Sequence, residues 1–219
     1  MTTGGIGNIH YWDAFYASNL PLELLEPSPF AKLVVARIPL NTHIIDVGCG
    51  NGRDSIFFKN NGYAVIALDG SSSAIQTLCQ NDSRFTNNQN TFILNFEDVQ
   101  ENKESTHSLL LKLSTGNSAI YARFFLHAIS EVAQKHFFDW VAKILRPGEF
   151  IFLEYRSPHA NDYYSMGSHF RRPIEARTVS DSLTALGFEI LESDSSKTFA
   201  PFRSDNTMIS RTIARKTLC

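Results

Sequence analysis

The sequence predicts an α/β chain built on a doubly wound, mostly parallel sheet of seven strands, with helices on both faces and an antiparallel hairpin at one edge. Three observations carry this expectation. Short apolar or β-branched runs alternate with segments of helical spacing, a glycine-rich turn follows the first run, and the last two runs lie close enough to pair antiparallel. A chain of 219 residues suits one domain, 1–219, with one core.

The elements follow in order. Residues 1–40 form a lead-in, in which Tyr11, Trp12, Phe15 and Tyr16 recur at one-, three- and four-residue spacing and predict a lid helix ending at Ala17. Pro21, Pro27 and Pro29 break the chain, and Phe30–Ile38 resumes a helical stripe that Pro39 ends. His43–Val47 is a strand, Asn51–Asn61 a helix closed by Gly62, and Tyr63–Leu68 a second strand ending on Asp69. Ser71 to Ser73 offer N-caps to a helix at Ala74–Gln80, and Thr91–Leu94 is the third strand. Gln100–His107 has no period and reads as loop. Ala119–Phe125 is the fourth strand, Glu131–Leu145 a helix stopped by Arg146-Pro147-Gly148, and Glu149–Tyr155 the fifth strand. Val179–Leu186 is helical, with late strands at Phe188–Leu191 and Thr207–Ala214.

Composition narrows the function classes. Net charge is −2, from 20 basic and 22 acidic residues with no long basic run, which argues against a nucleic-acid partner. Hydrophobic residues make up 43% and charged residues 19%, as in ordinary folded domains. Cys49, Cys79 and Cys219 form no CxxC pair and no zinc-spaced cluster, so no metal is expected. The first ten residues do not resemble a secretory signal, and no apolar run approaches the ~20 residues that span a bilayer. The expected compartment is the cytoplasm, with no membrane partner.

The chemistry concentrates at Asp46-Val47-Gly48-Cys49-Gly50-Asn51-Gly52, between a strand and a helix, with Asp69 at the tip of the next strand. Glycines permit a tight turn and close backbone approach to a ligand, and an acid at the second strand tip can accept hydrogen bonds from both hydroxyls of a ribose. An adenosine compound is therefore expected. Dinucleotide sites carry GxGxxG, with a third glycine beside the pyrophosphate, whereas this loop is GxGxG followed by Arg53-Asp54, and no GK[ST] follows to make a phosphate loop. A glycine-rich turn that merely connects strand to helix is the plainer alternative, and the agreement of context, spacing and acid weighs against it.

IIDVGCGNGRDS resembles the first motif of the class I S-adenosylmethionine-dependent methyltransferases, and ALDGSS resembles their second-strand acidic motif. The resemblance spans roughly Tyr11 to Leu153, and GCGNGRDS is similar to the tellurite-resistance and thiopurine-type branch, which methylates small molecules. It implies a Rossmann-like fold, S-adenosylmethionine as cofactor and S-adenosylhomocysteine as product. It places Gly48, Cys49, Gly50 and Gly52 along the methionine, with Asp46 orienting the loop, Asp69 on the ribose and Asp98 on the adenine amino group. Asn51, Arg53, Gly70, Ser71, Val99, Arg123 and Phe124 complete the expected cofactor set from these segments. Trp12 and Tyr16 join it if the lid aromatics cover a sulfonium cation rather than pack in the core.

Acceptor residues are expected at the ends of the fourth and fifth strands. The Asp/Asn-Pro-Pro-aromatic tetrapeptide of base-modifying amino methyltransferases is missing from RFFLHAI, which argues against nucleobase amines. His127 has two open roles, general base or anchor of its loop; methyl transfer can proceed by alignment without a strong base. Tyr155 ends the fifth strand, and the insert 157–178 brings His169, Arg171 and Arg172, which suit an anionic oxygen acceptor or salt bridges to the body. Phe199-Ala200-Pro201-Phe202-Arg203 and Arg211 surround the late hairpin and could close the same pocket. SHFRRPI and NTMISRTIARK resemble bacterial methyltransferases of polysaccharide- and small-metabolite-modifying pathways, which implies a small polar acceptor. Alternatives are a protein or RNA acceptor, marked by a basic apron or long groove, and a non-catalytic cofactor-binding partner, marked by an occluded acceptor cavity.

Overall fold

The computed structural model describes residues 4–17, 26–86, 89–98, 117–158, 171–200 and 207–218. Two helices lead in, α1 (Gly4–Ala17) and α2 (Pro29–Val35). Then come β1 (Thr42–Val47), α3 (Arg53–Asn60), β2 (Ala64–Asp69), α4 (Ser72–Asn81) and β3 (Thr91–Ile93). The second half runs β4 (Asn117–Arg123), a 3-10 turn (Leu126–Ala128), α5 (Glu131–Ile144), β5 (Phe150–Arg156), α6 (Ala176–Ala185), β6 (Phe188–Ser196) and β7 (Ile209–Lys216).

The strands form one seven-stranded sheet in the order β3-β2-β1-β4-β5-β7-β6. Pairing is parallel from β3 to β5, and β7 runs antiparallel to both β5 and β6. Strand order reverses between β1 and β4, and that switch point opens the crevice in which sheets of this type bind ligands.

Alternation along each strand sends side chains to two cores. Ile45, Val47, Ile120, Ile151 and Leu153 pack with Phe137, Trp140 and Val141 of α5 and Val179 and Leu183 of α6. Ile44, Val65, Tyr121, Phe152 and Ile213 pack on the opposite face with Phe30 and Val34 of α2, Phe58 of α3 and Leu78 of α4. Both faces are covered, which is why the central strands read as near-continuous apolar runs.

Serines start three of the helices: Ser28, Ser71 and Ser130 accept from Ala31 N, Ala74 N and Ala133 N at 3.0, 3.1 and 3.1 Å. Each such cap contributes about 1 kcal/mol. The sequence places the fourth strand as far as Phe125, but β4 stops at Arg123 because Phe124 turns to φ 58, the one positive φ outside glycine among the described residues. The predicted loop at Gln100–His107 lies outside the described residues.

Candidate active site

The tips of β1 and β2 are tied together. Gly48 N and Cys49 N both donate to Leu68 O, at 2.8 and 3.1 Å. Gly50 N then donates to Asp69 Oδ2 at 2.8 Å, and Ser71 N donates to Asp69 Oδ1 at 2.9 Å. The Gly70 backbone adds a third, weaker bond, and the two oxygens together still retain acceptor capacity. Burial pushes the Asp69 carboxyl up to about 6, against the pull of the Ser71 and Gly50 bonds.

Asp46 lies one turn below, buried, and receives the Ser55 hydroxyl. Burial pushes it up to about 7, with the Ser55 bond opposing. Cys49 is buried, and desolvation raises its thiol well above the ordinary range, so it packs as a small apolar group. Asn51 braces the loop, its carbonyl accepting from Asn81 Nδ2 at 3.1 Å. Gly52 sits at φ 82 as the N-cap of α3, and a Cβ there would collide with Leu78 of α4.

Helix α1 closes over this loop. Asp13 Oδ1 receives Ser71 Oγ at 2.6 Å and Ser73 N at 3.2 Å, and Thr77 Oγ1 donates to Tyr16 O at 3.2 Å. Tyr16 thereby lies directly on Gly50, where a Cβ would strike its hydroxyl and stand 2.8 Å from its Cζ. Burial and the neighbouring Asp69 carboxylate raise the Tyr16 phenol far above its ordinary value, so it is a hydrogen-bond donor at working pH. Trp12 stacks on Tyr16 with centroids 6.0 Å apart. Tyr16 thus reaches the loop with Trp12 stacked on it, while Asp13, which fastens the helix, was hidden in the sequence among them.

A second polar group lines the C-terminal ends of β4 and β5 and the N-terminal end of the antiparallel β7. Arg123, Glu154 and Arg211 stand in register on adjacent strands. Arg123 Nε donates to Glu154 Oε1 and Arg211 Nε to Glu154 Oε2, both at 2.7 Å, with the Glu154 side chain fully buried. The Arg123 guanidinium lies 4.1 Å over the Phe124 ring, and that of Arg211 lies 4.2 Å over Phe199. Beside them Asp54, in the first turn of α3, accepts Ser28 N and Oγ at 2.8 Å and Tyr121 Oη at 2.7 Å. Desolvation alone would raise the Asp54 carboxyl, but the Arg53 and Arg123 charges and these bonds outweigh it and hold it below its usual value.

The other predicted residues separate. Gly70 and Ser71 lie beside the Asp69 carboxylate, with Ser71 also capping α4. Asp98 is exposed in the turn after β3. His127 is buried, and its Nδ1 accepts from Arg156 N at 3.2 Å while its carbonyl accepts Arg172 N at 2.8 Å. That bond fits a neutral ring protonated on Nε2 and an anchoring role between β5 and the returning chain. Tyr155, expected beside the acceptor, is instead fully buried in the core with its hydroxyl 2.8 Å from Thr212 Oγ1. Strand alternation accounts for this: Glu154 faces the charged row, so Tyr155 must face away. Arg172 turns to α5, its Nη2 donating to Gln134 Oε1 at 2.6 Å, away from its expected neighbour Arg211. Arg171 is half-buried next to it. Val99, His169 and most of the insert (159–170) lie outside the described residues.

Among the described residues no group of His, Cys, Asp or Glu is arranged to hold a metal, and no helix is long and apolar enough to cross a membrane. Residues 16–193 match the family model of a methyltransferase domain, which specifies no branch of that family. No curated protein matches the chain. Among solved structures it is similar to an S-adenosylmethionine-dependent methyltransferase from Anabaena variabilis, at TM-score 0.68 and 17% identity over 95% of this chain and 93% of that one. It is also similar to the Burkholderia thailandensis 1,6-didemethyltoxoflavin-N1-methyltransferase bound to 1,6-didemethyltoxoflavin and S-adenosylhomocysteine, at TM-score 0.63 and 16% identity over 97% and 85% of the two chains. A third likeness is to the N-methyltransferase NodS of Bradyrhizobium japonicum with S-adenosylhomocysteine, at TM-score 0.62 and 15% identity over 95% and 98%.

Proposed function

The chain belongs to the methyltransferase-domain family, and from that premise we propose that it moves the methyl group of S-adenosylmethionine to an oxygen or nitrogen atom of a small, polar or anionic metabolite. The observation that carries this is the pairing of Asp69 with Gly50 N across the tips of β1 and β2. It leaves a carboxylate with spare acceptor capacity next to bare main chain, which fits a ribose diol beside an uncharged linker and offers no clamp for a pyrophosphate.

When bound, the cofactor supplies an activated methyl group on a sulfonium. The protein's own residues do the rest. Asp69 accepts the ribose hydroxyls, the loop Gly48–Gly52 supports the aminoacyl arm, and Arg123 meets that arm's carboxylate, a role supported by its position on the strand next to β1. Tyr16 and Trp12 on α1 cover the loop and keep water from it. Orientation and exclusion of water are the main contributions, and His127 is assigned to holding the loop after β4.

The test is calorimetric titration with S-adenosylhomocysteine, followed by methyl-release assays with S-adenosylmethionine on panels of carboxylate, phosphate and amine acceptors. Binding with turnover on a small acceptor supports the proposal. Turnover confined to protein or RNA acceptors contradicts it.

A further inference from the structure

We infer that the acceptor carries an oxyanion, a carboxylate or phosphate group, and that Arg211 reads it from β7. This rests on the methyltransferase reading above and adds the substrate class and the residue that selects it. Two guanidinium groups, Arg123 and Arg211, share the single carboxylate of Glu154. With Arg53 and Asp54 counted beside them, three guanidinium groups face two carboxylates, and the Arg123 and Arg211 side chains are only 15% and 13% exposed. The one carboxylate of S-adenosylmethionine is assigned to Arg123, which leaves the Arg211 guanidinium, two strands away, for an anion on the acceptor.

Hydrogen bonding agrees with the charge. Arg123 spends only Nε on Glu154, and among the described residues neither of its Nη groups has a partner. Arg211 spends Nε on Glu154 and Nη2 on Phe199 O at 3.0 Å, which leaves Nη1 without a partner among the described residues. Those Nη groups keep contact with solvent and are therefore reachable by a ligand.

Position divides the two roles. Arg123 is beside β1 and the glycine loop, which assigns it to the cofactor end. Arg211 stands two strands further out, about 10 Å at ordinary strand spacing. The oxyanion it reads is therefore several bonds from the methylated atom. Phe199 at 4.2 Å and Phe30 at 5.1 Å lie against the Arg211 guanidinium and hold it by cation–π contact. The sequence pointed instead to Arg171-Arg172, but Arg172 is committed to Gln134.

The experiment titrates protein saturated with S-adenosylhomocysteine with inorganic phosphate and with acetate, in the wild type and in Arg211→Gln. It also pairs each carboxylate in the methyl-release panel with its amide. Expected are saturable binding of at least one oxyanion, weakening of at least about tenfold in Arg211→Gln as for a lost charge-assisted hydrogen bond, and preference for carboxylates over their amides. S-adenosylhomocysteine affinity is retained in the variant. Should Arg211→Gln not fold, Arg211→Lys keeps the charge beside Glu154, removes Nη1 and serves the same comparison. Equal binding by wild type and variant, no oxyanion binding at millimolar concentration, or preference for amides overturns the inference. Failure of the wild type to bind S-adenosylhomocysteine overturns the methyltransferase reading itself, and this inference with it.

Discussion

The backbone N–H of Gly50 donates to Asp69 Oδ2 at 2.8 Å, joining the loop after β1 to the acid that ends β2. One carboxylate thus shapes the loop and faces the crevice. Asp69→Ala removes both functions, and S-adenosylhomocysteine should bind at least about tenfold more weakly, the scale of a charged hydrogen bond. Asp69→Asn keeps the side-chain size but turns an NH2 donor against either the Gly50 or the Ser71 N–H, and should lose nearly as much. Calorimetry on both variants checks this.

Affinity should depend on pH with a definite sign. The Asp69 carboxyl lies near 6 because of burial, so it ionises as pH rises through that value, and only the ionised form is a full acceptor. S-adenosylhomocysteine affinity should fall below about pH 6, by up to tenfold per pH unit, and level off above about pH 7. Folding stability of the free protein runs the opposite way. The folded state holds this proton more tightly than an unfolded chain, whose carboxyl titrates near ~4, so stability declines between about pH 4 and pH 6. Asp46, pushed up to about 7, extends the decline. Titrations and melting curves across this range read both trends.

Gly52 is held at φ 82 with Leu78 where a Cβ would go. Gly52→Ala should destabilise the fold by about 2 kcal/mol or more, combining left-handed strain with the collision. In Gly52→Ala/Leu78→Ala the collision is gone and the strain remains, so the double variant should be more stable than the sum of the singles predicts, by more than about 0.5 kcal/mol. Strict additivity in denaturant melts would contradict the contact.

Asp13 fastens α1 to the start of α4 through Ser71 Oγ and Ser73 N. Asp13→Ala should speed hydrogen exchange across Gly4–Ala17 while α5 stays protected, and should weaken S-adenosylhomocysteine binding as Tyr16 loses its seat on Gly50. Unchanged exchange in α1 would show that its aromatics alone hold it.

The sheet and the glycine loop were legible because both are local. Strand runs such as His43–Val47 and the Gly48–Gly52 turn lie within a few residues, and Asp69 follows at the next strand tip. The charged row was not legible. Glu154 is 31 residues from Arg123 and 57 from Arg211, and only sheet register brings them together. A signal was present, since a glutamate inside the apolar run FIFLEYR must have buried partners. The adjacent pair Arg171 and Arg172 is the more conspicuous feature of the sequence, and Tyr155 ends an apolar run whose strand period turns it to the core. The strand β4 ends two residues before the apolar run does, because no pattern announces a phenylalanine at positive φ.

The most direct measurement is a crystal structure of the protein with S-adenosylhomocysteine. The ribose hydroxyls should lie within hydrogen-bond distance of the Asp69 carboxylate, with the homocysteine arm along Gly48–Gly52. Asp69 found facing only protein groups, with the ligand elsewhere, would contradict the account.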